Sequence, residues 1–217
     1  MKVKNLLAVA ALCLFSANAS AQCRDYNGIY FQYNPTIVGN FDKFYNLSES
    51  NFANGFTVGY VRSIPISSKI PFFLEVGGNV AWTFKYDSKQ SVSLTSHLLS
   101  FDIPVNFGYS FGLGSDRLAL NPYVGLRLRV NAVAVGVLSS GNQSETYNYF
   151  DKNDVGGSDY TWNIFQLGIQ AGVKFIINQR FMLEAGYTYD VIPFGKANAR
   201  GDYMYPMSIN FGFGFCF

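Results

Sequence analysis

In six stretches of this chain, apolar and polar residues alternate one by one, and the polar side of each carries charge or glycine at its middle. Between Pro71 and Lys85, Phe72, Leu74, Val76, Val80, Trp82 and Phe84 share one side, while Glu75, Gly77, Asn79, Ala81, Thr83 and Lys85 share the other. From Leu99 to Tyr109, Leu99, Phe101, Ile103, Val105, Phe107 and Tyr109 oppose Ser100, Asp102, Pro104, Asn106 and Gly108. Leu120–Val130 sets Arg127 and Arg129 against Leu126 and Leu128. Phe165–Phe175 sets Lys174 against Val173, Phe181–Tyr189 sets Glu184 against Leu183, and Ile209–Phe217 sets Gly212 and Gly214 against four phenylalanines. A period of two means extended strands with two unlike faces. Two weaker strands, Gly28–Val38 and Phe52–Ile64, precede them and bring the number to eight.

Such strands also suit a soluble sandwich or a lipocalin-like barrel. Composition separates the readings. Only 14% of the chain is charged and 18% is aromatic, where a soluble domain carries about 25% charged residues. Past the N-terminus no apolar run reaches the length of a membrane helix. A closed barrel that turns its greasy side to lipid satisfies both facts. Tyr60, Trp82, Tyr109, Tyr187 and Tyr189 fall toward strand ends, where amphipathic rings meet the membrane interface. The expected fold is therefore all-β, an eight-stranded antiparallel transmembrane up-and-down barrel.

The polar side must then face inward, into a bore that side chains fill in a barrel of this size. The glycines there leave room for long side chains. Glu75, Asp102, Arg127, Arg129, Lys174 and Glu184 can neutralise one another, whereas a lone buried charge would cost several kcal/mol. An internal ion-pair network and no wide channel are expected.

Residues 1–21 read as a cleaved secretory signal: Lys2 and Lys4, an apolar Leu6–Phe15, then Ala19-Ser20-Ala21. Gln22 stands where a lipoprotein signal needs a small residue before Cys23, which argues against lipidation. Residues 22–217 form the barrel domain. Losing Lys2 and Lys4 takes the formal charge from +2 to zero, and a neutral chain without a basic tract is not a nucleic-acid binder. Linkers around 65–71, 112–116 and 178–180 are short. Those around 39–51, 86–92, 139–161 and 191–203 are longer and polar. This asymmetry puts the short turns and both termini in the periplasm.

The chain resembles the small outer-membrane β-barrel family of Bacteroidetes, the PorT-like barrels. The resemblance rests on Ala19-Ser20-Ala21-Gln22, on Leu99-Ser100-Phe101-Asp102-Ile103-Pro104-Val105-Asn106-Phe107-Gly108-Tyr109, on Asn121-Pro122-Tyr123-Val124-Gly125, and on the terminal Phe217 after alternating aromatics. It implies outer-membrane lipid and the outer-membrane assembly machinery as partners. Some such proteins assist protein secretion, so an accessory role there is one reading.

Chemistry is sparse. Barrels that resemble lipid A deacylases or acyltransferases need a general base, and His97 is the single histidine. Ser93 and Ser96 are near, but no His-x-Ser pattern accompanies it, so no enzyme is expected. Asp151, Asn153, Asp154, Gly156 and Asp159 approach calcium-loop spacing. Val155 and Trp162 stand where two ligands belong, so no metal or cofactor is expected. Tyr147, Tyr149, Phe150 and Tyr160 form a candidate contact surface in the third long loop. Cys23 and Cys216 meet at the seam of the ring and are disulfide candidates, although their parity is opposite. The expected role is structural, accessory or binding, through loops one, three and four, with an unknown protein partner; a narrow pore for small solutes is the other class.

Overall fold

The computed structural model describes residues 25–44, 50–67, 70–89, 91–113, 117–155, 157, 160–198 and 200–217. The expected signal segment and Cys23, one half of the candidate disulfide, lie outside these residues, as do Gly156 and Asp159. The strands are β1 (Tyr26–Tyr33), β2 (Thr36–Val38), β3 (Phe52–Pro65), β4 (Phe72–Lys89), β5 (Val92–Tyr109), β6 (Phe111–Gly112), β7 (Leu118–Ser140), β8 (Gln143–Asn148), β9 (Phe165–Ile177), β10 (Phe181–Asp190) and β11 (Pro206–Cys216). One short helix, α1 (Phe41–Phe44), follows β2. No described helix is long and apolar enough to cross a membrane.

Each long strand pairs antiparallel with the next, and β1 pairs with both β3 and β11. Phe31 faces Val58 on one side and Phe213 on the other, so the sheet is a ring. Eight strands carry it among the described residues, with β2 continuing β1 past Asn34-Pro35. Pro35 has no N–H to give a ladder, but its carbonyl still accepts from the Ile209 amide at 3.0 Å. Short turns join the strands at one end and longer segments at the other, apart from the β4–β5 hairpin.

That hairpin corrects one expectation. Residues 86–92 are not a long polar loop: Tyr86 pairs with Thr95 and Lys89 with Val92. The stretch is polar because β4, β5 and β7 outrun the apolar belt, where strand formation no longer requires greasy residues. Part of the third loop is also strand, since β8 folds back on β7 through Gly141 at φ +59°. A β-bulge at Ala132 sits opposite Leu99 and Ser100. It shifts the parity of β7, so Asn131 and Ala134 both face inward.

The outer wall is apolar. Leu126, Phe211 and Phe213 are 50%, 54% and 62% exposed, and their neighbours along each strand match them. Soluble monomers rarely expose an apolar belt of this extent, which marks a surface that meets lipid or a partner. Rings gather at its edges: Trp82 stacks on Phe84 and His97 toward the long-loop end, and Tyr109 lies against Phe72 and Phe111 at the short-turn end.

The β9–β10 turn carries strain. Asn178 and Gln179 sit at φ +54° and +59°, the left-handed pair that a tight hairpin requires. Asn adopts that region readily; Gln does so at a cost of about 1–2 kcal/mol. Gln179→Gly is expected to stabilise the barrel by about 1 kcal/mol, read as a higher urea midpoint in refolding experiments; an unchanged or lower midpoint contradicts it.

Candidate functional site in the lumen and at its mouth

The lumen is layered. At the short-turn end lies an apolar floor of Tyr26, Val61, Ala119, Ile176, Met182 and Cys216. Phe73 is fully buried against Gly108, where a side chain on residue 108 would overlap its ring.

Above the floor sits an ionic triad. Glu184 of β10 and Lys174 of β9 face each other across the ladder. The Lys174 ammonium bonds Glu75 of β4, on the far wall, and lies 3.9 Å from Glu184. Tyr26 Oη and Asn106 Nδ2 donate to Glu75 at 2.8 and 2.9 Å, and Tyr123 Oη donates to Glu184. The Lys174 cation also lies over the rings of Tyr30 and Tyr123 at 5.8 and 5.3 Å. Gly172 and Gly186 make room for the Tyr123 hydroxyl: a Cβ at either would sit 2.7 or 2.8 Å from it.

The next layer is a four-membered ring of charges. Arg129 of β7 forks onto Asp102 of β5 at 2.7 and 2.8 Å. Arg127 Nη2 donates to Asp190 Oδ1 at 2.7 Å, and Arg127 also lies 3.8 Å from Asp102. Arg129 closes the ring on Asp190 at 3.9 Å. All seven charged residues of the two layers are buried. The structure thus brings together Glu75, Lys174 and Glu184 in one group and Asp102, Arg127 and Arg129 in another. Asp190 completes the second group. It lies on the same side of β10 as Glu184, at the strand end. The space between the layers is a cavity of about 20 Å³, enough for roughly one water molecule.

An apolar cap closes the long-loop end. Phe41 comes from loop one, Tyr149 and Trp162 from loop three, and Phe194, Ala197 and Met204 from loop four, against Val38, Leu98 and Ala134 of the wall. Trp162 stacks between Tyr149 at 4.3 Å and Phe194 at 4.8 Å. Gly136 faces the Tyr149 hydroxyl so closely that a Cβ there would displace the tyrosine. Lys85 and Asp87 form a buried pair beneath Phe41.

This overturns part of the expected contact surface. Tyr149 is fully buried, and Phe150 packs on the same cluster. The loop returns over the mouth, and the rings leave water by turning inward. Tyr147 and Tyr160 stay half-exposed. Tyr147 donates to Glu145 at 2.5 Å, and that hydrogen bond raises its phenol above the ordinary value. The Tyr149 hydroxyl shares a 2.7 Å bond with Ser96 Oγ. Ser96→Ala leaves that buried hydroxyl without this partner, which is expected to cost about 1–3 kcal/mol in urea unfolding; a change inside the error would contradict it.

The other candidates separate. His97 faces outward, stacked on Trp82 at 5.9 Å, with Phe84 and Val135 as cross-strand neighbours. No hydrogen bond links it to a hydroxyl or carboxylate among the described residues. In the third loop, Asp151 accepts from the Asn153 amide at 2.9 Å and Asp154 from the Asn148 amide at 2.7 Å. These carboxylates stabilise turns, and no described group of His, Cys, Asp or Glu is arranged to hold a metal ion. Cys216 is buried in the floor. Loops one and four are tied by Lys43 and Asp202 at 3.0 Å. Hydrogen bonds from Asn198 and Lys43 hold the Asp202 carboxyl below the ordinary range.

The chain is similar to the solved attachment invasion locus protein Ail of Yersinia pestis, at 15% identity and TM-score 0.48, covering 89% of this chain and 99% of that one. It is similar to Neisserial surface protein A, at 18% identity and TM-score 0.46, covering 88% and 97%. It is also similar to the outer membrane enzyme PagL, at 10% identity and TM-score 0.45, covering 85% and 97%. None of these likenesses carries weight for what the chain does. No curated protein matches it. A family model described as the outer membrane protein beta-barrel domain matches residues 7–217. With that match over nearly its whole length, on a ring of antiparallel strands wrapped in an apolar belt, the chain belongs to the outer membrane protein β-barrel domain family.

Proposed function

We propose that this integral outer-membrane barrel is a closed, non-enzymatic scaffold whose long loops form a contact surface on the outside of the cell. The observation that carries the reading is the cap. Three loops converge on one apolar cluster around Trp162, so they present a single fixed surface, and the lumen beneath is filled by paired charges. A solute pore needs an open, wetted path, and the cavity of about 20 Å³ between the ionic layers provides none. Catalysis at His97 lacks an orienting acid among the described residues. The resemblance to PorT-like barrels supports an accessory role in a secretion assembly as one form of this scaffold. Lipid on the outer wall and the assembly machinery are the partners that any such barrel meets.

The test is conductance of the purified protein in planar bilayers. The closed reading expects no unitary steps above the lipid baseline. Reproducible steps that change in size when Arg127 and Arg129 are replaced with Gln would show that ions pass through the lumen, and the scaffold reading would fall.

A further inference from the structure

Two clefts at the short-turn end share Phe181 as a lining residue. The first is an apolar groove of about 500 Å³ along the seam of β1, β10 and β11, lined by Ile29, Phe31, Phe181, Phe213 and Phe215. The second is polar, about 480 Å³, and lined by Arg117, Asn178, Gln179, Arg180 and again Phe181. Arg117 precedes β7 and Arg180 closes the β9–β10 turn; the Asn178 amide donates to the Arg117 carbonyl and ties the two turns together. Both arginines are exposed, and no carboxylate side chain lines the cleft among the described residues. Asp25, a carboxylate described at this end, is occupied by Arg62 at 2.7 Å.

We propose that the joined clefts bind one glycerophospholipid, with its phosphate held between Arg117 and Arg180 and an acyl chain laid in the groove above Phe181. Guanidinium forks match phosphate oxygens in geometry and charge. Basic pockets beside apolar membrane surface recognise lipid headgroups on the same principle. A free phosphate would use the arginines but not the groove, and an uncharged lipid would use the groove but not the arginines. Continuity through Phe181 selects a molecule with both parts. The short-turn end also suits this ligand, because the inner leaflet of an outer membrane is phospholipid. The inference rests on the membrane reading above.

The test is native mass spectrometry of the full barrel in neutral detergent. The probes are dioleoylphosphatidylglycerol, dioleoylglycerol with the same chains and no phosphate, and inorganic phosphate alone. The expected result is retention of one phosphatidylglycerol, roughly tenfold stronger than dioleoylglycerol, and a similar loss in the Arg117→Gln/Arg180→Gln variant. Both substitutions are on exposed side chains, and heat-modifiable gel mobility verifies that the variant is folded. A Phe213→Ala variant is expected to weaken phosphatidylglycerol while leaving the arginines intact. Equal retention of the two lipids, unchanged binding in the double Gln variant, or phosphate alone bound as tightly as the lipid would each overturn the proposal. A chain that does not associate with detergent at all would instead overturn the membrane reading, and that is seen before any probe is added.

Discussion

Replacing Lys174 with Met is expected to destabilise the barrel by about 3–5 kcal/mol, the range for breaking a buried ion pair from one side. The substitution keeps the volume but leaves Glu75 and Glu184 facing each other with no cation between them. Both are buried, so water cannot substitute for the ammonium at low cost. Tyr26, Asn106 and Tyr123 still donate to them, but neutral donors do not cancel two negative charges. The loss is read from urea unfolding in lipid vesicles. Adding Glu75→Gln and Glu184→Gln to Lys174→Met is expected to recover most of it, because the charges then leave together. A single-variant loss below about 1 kcal/mol, the scale of a solvated ion pair, would mean that the triad is hydrated.

Leu126→Arg is the second large effect, and it probes the other side of the wall. Leu126 is 50% exposed, midway along the apolar face of β7, with Val105 and Ile169 as cross-strand neighbours. On a soluble protein a substitution at such an exposed site changes stability by about 0.5 kcal/mol or less. On a lipid-facing strand near the bilayer midplane, arginine costs about 2–4 kcal/mol. The two readings differ severalfold in one measurement. The same urea titration in vesicles decides between them, and a near-neutral result would remove the membrane from the account of this surface.

The parity of alternation makes most of the ring legible in the amino-acid sequence. Once a strand is recognised, every second residue is committed to one side, so Glu75, Asp102, Lys174 and Glu184 were placed inward by their neighbours alone. What alternation cannot show is anything that breaks or extends it. The extra residue at Ala132 shifts the register of β7 and leaves no compositional mark, because Asn131, Ala132 and Val133 read equally well in either register. The outer halves of β4 and β5 hid for another reason. Asp87, Ser88, Ser93 and Ser96 lie outside the alternating stretches, and they form strand because their backbones pair beyond the belt. Tyr149 shows the same limit in a loop. An aromatic in a polar segment signals a contact, but only the returning chain decides whether that contact is with a partner or with the protein's own Trp162. The two clefts left no motif either, since Arg117 and Arg180 lie in separate turns that the pairing of β7 with β9 brings together.

The central claim is that the apolar wall faces hydrocarbon and the charges are enclosed. The two tryptophans test it directly, because Trp82 lies on the wall at 42% exposure and Trp162 is buried in the cap. In vesicles of lipids brominated along the acyl chain, a Trp162→Phe variant is expected to lose most of its fluorescence to bromine and to be insensitive to aqueous iodide. Trp82 emission that iodide quenches and brominated chains leave untouched would contradict the claim.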